Sequence, residues 1–344
     1  MKTGRLLFLI SRIHGLKTHL LKKQEYISLL RRQGMAGMSD SLLTGDYSID
    51  VSRIPTRELN ALHMEKVFYE KLSQRWYFLL RITSGKLKEL FETYAKKMEI
   101  ENLKRIIRAV HGKTEIYDEQ LISMPRQYQE VNFPALLAAK EMREVVELLK
   151  ESPYKNVGKR LVEYEAHGNP TLLEAELDKI YYADVWAKTN ETPDSGKTRA
   201  FIGTEVDLRN LQWILLSKYM KVEPWLVHEN IIDIGHALRK STVSRLIDVD
   251  AQKIPHTFVP PQYFETMRRA AELIEQGKIV ETENLFSQHL YSNAEKVSIR
   301  NPNSLVYVFS YLQLCFRETR NLTMLAIGKQ MKMSENRLEN LLFL

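Results

Sequence analysis

The sequence predicts an all-α protein made of three similar helical-bundle domains, an internal triplication. Three observations lead there. The composition suits packed helices, apolar residues recur at helical spacing, and a short polar signature returns three times at a nearly constant interval.

Of the 344 residues, 44% are hydrophobic and 27% charged, with only 14 Gly and 11 Pro. That is too apolar for a disordered chain and too poor in turn-formers for an all-β one. Leu and long charged residues dominate, as helices prefer. The net charge of +7 rests on 50 basic and 43 acidic residues interspersed along the chain, and no basic tail stands out. A mild excess of this kind fits acidic partners, lipid headgroups or nucleic acid and does not choose among them.

The signature is an acid, two residues, then Asn-Leu. It occurs at Glu99/Asn102, Asp207/Asn210 and Glu318/Asn321, with the asparagines 108 and 111 positions apart. Each is expected to open a helical run, from Asn102 to His111, Asn210 to Met220 and Asn321 to Met331. Leu103, Ile106, Ile107 and Val110 follow the i, i+3, i+4, i+7 stripe of an amphipathic helix. Lys218 and Lys329 lie eight residues after their asparagines, on the face shared by acid and amide.

Two further elements recur. Leu29-Leu30, Leu42-Leu43 and Tyr47 are matched by Leu136-Leu137, Leu148-Leu149 and Tyr154, and Leu285-Phe286 with Tyr291 is read as the third copy, shortened by a hairpin. Met64–Tyr69 aligns with Leu177–Tyr182. Breakers fall at Met124-Pro125, Ile254-Pro255 and Pro260-Pro261, and Thr192–Thr198 reads as a polar loop. The expected units are residues 1–120, 121–250 and 251–344, the third shortened. Each is a small bundle, larger than a solenoid repeat.

Catalytic and metal-binding patterns are few. Gly196-Lys197-Thr198 ends like a phosphate-binding loop, but Glu191 stands where that loop needs glycine, so a surface loop is expected. His228-Glu229 begins like a zinc-protease helix, but Ile232 occupies the place of the second histidine. His14 and His19 are five apart, which suits no helical pair of ligands, and no histidine–cysteine pairing is found. Cys315, the sole cysteine, sits in the apolar run Val306–Phe316 and is expected to be buried and inert. Neither catalytic residues, nor a metal, nor a cofactor, nor a small-molecule substrate is expected. The acid–Asn pairs are assigned a structural role: at i, i+3 they bond each other or a neighbouring backbone. The apolar run Leu6–Ile10 is too short for an export signal, and no stretch reaches the ~20 apolar residues of a membrane span, so a cytoplasmic or peripherally attached protein is expected.

These residues resemble a known family. Glu318-Thr-Arg-Asn321-Leu322 followed by Gly328-Lys329, and the opening Arg12–Tyr26 with Leu29-Leu30, are similar to the closing and first helices of the C subunits of A-type/V-type ATP synthases, the counterparts of the d subunit in vacuolar ATPases. The likeness covers essentially the whole chain, with Ser217-Lys218 departing from Gly-Lys in the second copy and a longer Asn102-to-Lys113 interval in the first. The resemblance implies three helical domains arranged as a funnel. It implies a non-catalytic central-stalk component on the cytoplasmic face of the membrane, which receives the shaft, made of the D and F subunits, and rests on the proteolipid ring. The alternative is an α-helical scaffold that binds nucleic acid through its basic surface, with affinity falling steeply as salt rises. No recognition motif supports that alternative.

Overall fold

A computed structural model describes residues 3–250, 253–254 and 259–344. Pro255 of the expected breaker, and His256, lie outside the described residues. Among the described residues there are α-helices, short 3-10 turns and no strand, so the all-α class holds. The chain forms two compact units: residues 1–148 with 297–344, and residues 149–296. The three segments expected from the sequence, 1–120, 121–250 and 251–344, do not coincide with these two bodies.

In the first unit the framework is three long helices, Ala61–Ile82, Gly85–Gly112 and Leu305–Gln330. Ala61–Ile82 begins where Asn60 accepts the His63 N–H with its side chain at 3.0 Å, an N-cap that satisfies one of the otherwise orphaned first-turn donors. It buries Met64, Phe68, Leu72, Trp76 and Leu79, a stripe at spacings of three and four that faces inward. Leu305–Gln330 is buried around its full circumference from Leu305 to Cys315, as expected of a helix surrounded by others. Its second half packs Leu322, Leu325 and Ala326 against Tyr26, Leu29, Leu30, Met38 and Tyr47. At ~1.5–3 kcal/mol per buried side chain, this one cluster outweighs any surface contact. The apolar run Leu6–Ile10 belongs to the helix Thr3–Lys17, which buries Leu9, Ile10 and Ile13.

In the second unit Thr171–Thr189 and Ser195–Tyr219 form a helical hairpin. Leu211, Ile214 and Leu215 pack with Leu246, Ile247, Tyr263 and Met267. The short loop between the hairpin helices corrects one expectation. Residues 195–198 are the first turn of Ser195–Tyr219, not part of a surface loop, and Thr198 N–H bonds Asp194 O at 3.0 Å. Thr198 is buried, which anchors the turn inside.

A second correction concerns the signature. None of the three asparagines opens a helix; each lies past the middle of a long one that begins at Gly85, Ser195 or Leu305. The upstream half of Leu305–Gln330 is buried on every face, so its helical period is hidden from a search for amphipathic stripes.

Candidate functional site: three asparagine clasps

Each signature asparagine holds the backbone of a single residue 20 to 22 positions further on. Asn102 Nδ2 donates to Ile122 O at 2.9 Å and its Oδ1 accepts Ile122 N–H at 2.7 Å. Asn210 does the same to Ile232, at 2.9 and 3.0 Å. Asn321 does the same to Phe343, at 3.1 and 2.9 Å. All three asparagines are buried, and all three partners lie in segments without regular secondary structure. A buried irregular segment has backbone donors and acceptors that no helix satisfies. An amide side chain carries one donor group and one acceptor and so completes both at once, as a neighbouring strand would. A carboxylate in its place would oppose the carbonyl.

The acid one turn earlier points to the same side and accepts from other segments. Glu99 Oε1 accepts Glu130 N–H at 2.8 Å. Asp207 accepts His236, Ala237 and Leu238 N–H at 3.1, 2.7 and 3.3 Å, and the Tyr263 hydroxyl at 2.9 Å. Glu318 accepts Leu21 N–H at 2.5 Å, the Tyr47 hydroxyl at 2.7 Å and Arg75 Nη1 at 2.6 Å. Glu99, Asp207 and Glu318 are all at most 1% exposed. Burial pushes the Asp207 carboxyl above the usual aspartate range, although Ala237, Tyr263 and the other donors oppose it. Acid and amide thus each hold a chain segment outside their own helix.

The three helices also end alike. Eleven residues after each asparagine stands a lysine with left-handed backbone: Lys113, Lys221 and Lys332, at φ of 51°, 55° and 54°. In each, the following N–H returns to the carbonyl five residues back: Thr114 to Ala109, Val222 to Ser217 and Met333 to Gly328. This closure satisfies helix-end carbonyls, and it usually takes glycine. Of the lysines singled out by spacing, Lys218 Nζ donates to Ile247 O at 2.5 Å and Lys329 Nζ to Leu30 O at 3.1 Å. Each caps the end of a shorter helix. Val110 occupies that place in the first stretch.

The tyrosine reading needs correction. Tyr47 and Tyr154 are buried N-cap residues, of Ser48–Val51 and of the 3-10 turn Lys155–Arg160. Tyr291, taken from its spacing as their counterpart, lies inside the helix Ile279–Arg300. Tyr263 is the buried N-cap residue of Phe264–Glu275 and bonds Asp207 as Tyr47 bonds Glu318. Its distance to Asn321 is 58 residues, against 55 and 56 for Tyr47 and Tyr154 to their asparagines. Leu246-Ile247, packed beside it, then takes the place assigned to Leu285-Phe286. Tyr291 falls in register with Tyr69 and Tyr182 instead, 30 residues before its asparagine against 33 and 28. The similar spacing of Tyr263 is visible in the letters; a boundary drawn at residue 250 separates it from Leu246-Ile247.

Around Glu318 the charges form a network. Arg75 also donates to Asp46 at 2.9 Å, and Lys71 lies 3.5 Å from Asp46 and 3.4 Å from Asp50. Arg75 and Glu318 are 6% and 1% exposed, a buried pair whose loss of hydration is offset only by close and complete bonding.

The other candidates are structural. His14 bonds Pro302 O at 2.9 Å and stacks on Tyr307. His228 and Glu229 border a cleft of about 380 Å³ with Arg160, Lys179, Asp233 and Lys240. There Lys179 Nζ donates to Glu229 O at 2.6 Å and Arg160 pairs with the Glu229 carboxylate. Beside the first clasp a wider cleft of about 690 Å³ is bordered by Lys66, Glu70, Asn102, Asp118, Arg126 and Glu130. Cys315 is fully buried, and burial pushes its thiol up to about 11. No group of three or more His, Cys, Asp or Glu side chains among the described residues is arranged to hold a metal ion.

Residues 9–341 match the family model described as ATP synthase (C/AC39) subunit. The chain belongs to this family. Its similar proteins include the C subunit of the A-type ATP synthase of Methanosarcina acetivorans, 25% identical over 338 residues that cover 97% of this chain and 91% of the relative. The C subunit of the A-type ATP synthase of Methanococcoides burtonii is 22% identical over 337 residues, covering 97% and 92%. That of Pyrococcus horikoshii is 22% identical over 318 residues, covering 92% and 84%. The residues matched to the family span all three asparagines, from Asn102 to Asn321. The family is one of subunits of a rotary ATP synthase. No helix among the described residues is long and apolar enough to cross a membrane.

Proposed function

We propose that this chain is the non-catalytic central-stalk component of an A-type/V-type ATP synthase. In this role it joins the rotating shaft, made of the D and F subunits, to the proteolipid ring, peripherally on the cytoplasmic face of the membrane. Ion movement through the ring is thereby coupled to ATP synthesis or hydrolysis elsewhere. The proposal includes a threefold internal repeat, each repeat closed by one asparagine clasp, arranged as a funnel that receives the shaft.

One observation carries the reading: the same buried amide–backbone exchange made at Asn102, Asn210 and Asn321. A torque-bearing coupler needs no reacting group. It needs stiffness, and helices packed to crystalline density supply that only if the irregular segments between them are also held. The clasps hold those segments with bonds that have no water competitor. Family membership across residues 9–341 supports the assignment to the complex.

The test is removal of this chain from the membrane-bound complex. The expected result is that ATP hydrolysis continues, ion pumping stops, and the purified chain rebinds both the D–F shaft and the ring. Full coupling without the chain, or binding to neither partner, would overturn the proposal.

A further inference from the structure

The charge along the chain is not as evenly mixed as it first reads. Lys2, Arg5, Arg12, Lys17, Lys22 and Lys23 all precede the first acid, Glu25. Most of this stretch is the helix Thr3–Lys17, which contains no acid. Its inner face buries Leu9, Ile10 and Ile13. On the outer face Arg5, Phe8 and Arg12 follow i, i+3, i+7, so the phenylalanine stands between two guanidinium groups on one stripe. Phe8 is 56% exposed and Leu7 beside it 50%. Exposed Leu and Phe side by side, on the face opposite Leu9, Ile10 and Ile13, form an apolar patch of the kind that marks a contact surface.

Neighbouring elements reinforce the charge. Arg5 Nη1 donates to Ser84 Oγ at 3.2 Å, and Arg12 lies over the Phe78 ring at 5.6 Å. Both arginines are thereby tied to the region where Ala61–Ile82 turns into Gly85–Gly112, while each keeps further donors. Around that turn Arg81, Lys86 and Lys88 outnumber Glu89 and Glu92, and Lys88 lies 3.6 Å from Glu92.

We propose that this face, centred on Leu7 and Phe8 and rimmed by Arg5 and Arg12, seats on an anionic lipid surface. The chemistry is that of an interfacial helix: an apolar pair enters the headgroup boundary while the flanking arginines bind lipid phosphates. Charge complementarity selects this occupant. A proteinaceous apolar partner gains nothing from an acid-free helix, whereas each basic group near an anionic membrane contributes about 1 kcal/mol, or about fivefold in binding. Lipid binding here is separate from the contact with the proteolipid ring proposed above, and either stands without the other.

The experiment is co-sedimentation of the purified full-length chain with vesicles. One set is phosphatidylcholine alone; the other is phosphatidylcholine mixed with phosphatidylglycerol. The chain is expected to bind the anionic vesicles at low salt, to release as salt rises, and to ignore the neutral ones. The double variant Leu7→Ser/Phe8→Ser should weaken binding by roughly tenfold or more. Arg5→Gln and Arg12→Gln should each weaken it about fivefold. Retained far-ultraviolet circular dichroism checks that the variants fold. Absence of binding to anionic vesicles, equal binding to both vesicle types, or variants that bind like the parent would overturn the proposal. So would self-association of the parent that the double variant abolishes, since the occupant would then be a second copy of the chain.

Discussion

Asn321 grips the backbone of Phe343 through both its N–H and its carbonyl, donating to the carbonyl at 3.1 Å and accepting the N–H at 2.9 Å. The same pair of bonds joins Asn102 to Ile122 and Asn210 to Ile232. The amide therefore acts as a one-residue strand, and its loss strands two buried backbone groups.

Replacing any one of the three asparagines by alanine is expected to destabilise its unit by about 2–4 kcal/mol, because each orphaned buried polar group costs about 1–3 kcal/mol. Aspartate, though isosteric, is expected to destabilise at least as much. It keeps the acceptor for the N–H but turns a second oxygen toward the carbonyl. Urea titrations of the single variants measure this, and an alanine variant indistinguishable from the parent would contradict it.

Arg75 and Glu318 form a buried pair at 2.6 Å. Removing one partner leaves an uncompensated charge, so Arg75→Met or Glu318→Leu alone is expected to cost about 3–5 kcal/mol. The double replacement is expected to cost less than the sum of the two, although the Leu21 N–H and the Tyr47 hydroxyl still lose their acceptor. A double-mutant cycle reports the coupling, and additive single effects would show that the pair does not act as one.

Two aspartates should give opposite pH signatures. Burial raises the Asp46 carboxyl, but bonding to Arg75 and the charge of Lys71 outweigh it and hold the group below the usual range. Its contribution to stability is present above the ordinary aspartate value of about 4 and is lost as pH falls through the lower folded value. Asp207 is raised by burial, so its contribution is present below the ordinary value and is lost as pH rises through the higher folded one. Asp46→Asn should flatten the acid limb of the stability profile, measured by urea titration across pH. An unchanged acid limb would contradict the assignment.

Tyr263→Phe should weaken the second unit by roughly 1.5–3 kcal/mol, the range for a hydrogen bond to a charged acceptor, and Tyr47→Phe should act similarly in the first. Thermal melts of the two variants check the equivalence. Loss in one without the other would separate the two tyrosines.

Much of this was legible in the letters. The helical class followed from composition and from stripes such as Leu103–Val110, and Cys315 was placed in the core by its neighbours. Asn102, Asn210 and Asn321 were found by spacing, but their partners were not. Ile122, Ile232 and Phe343 are ordinary apolar residues whose side chains say nothing about which backbone group is held. The helix start at Leu305 is hidden because fully buried helical turns lose the amphipathic period, and the start at Ser195 because its first turn, Ser195-Gly196-Lys197-Thr198, has the polar composition of a loop. Tyr263 was missed because repeat boundaries drawn at prolines cut through the element to which it belongs.

Native-state hydrogen exchange at the N–H groups of Ile122, Ile232 and Phe343 tests the clasps most directly. All three sit in irregular segments that would otherwise exchange rapidly, and each donates to a buried asparagine. If the clasps hold, all three are protected to the level of the long helices in their unit and lose that protection in the matching Asn→Ala variant. Rapid exchange at any of them in the parent protein would show that the clasp there does not hold.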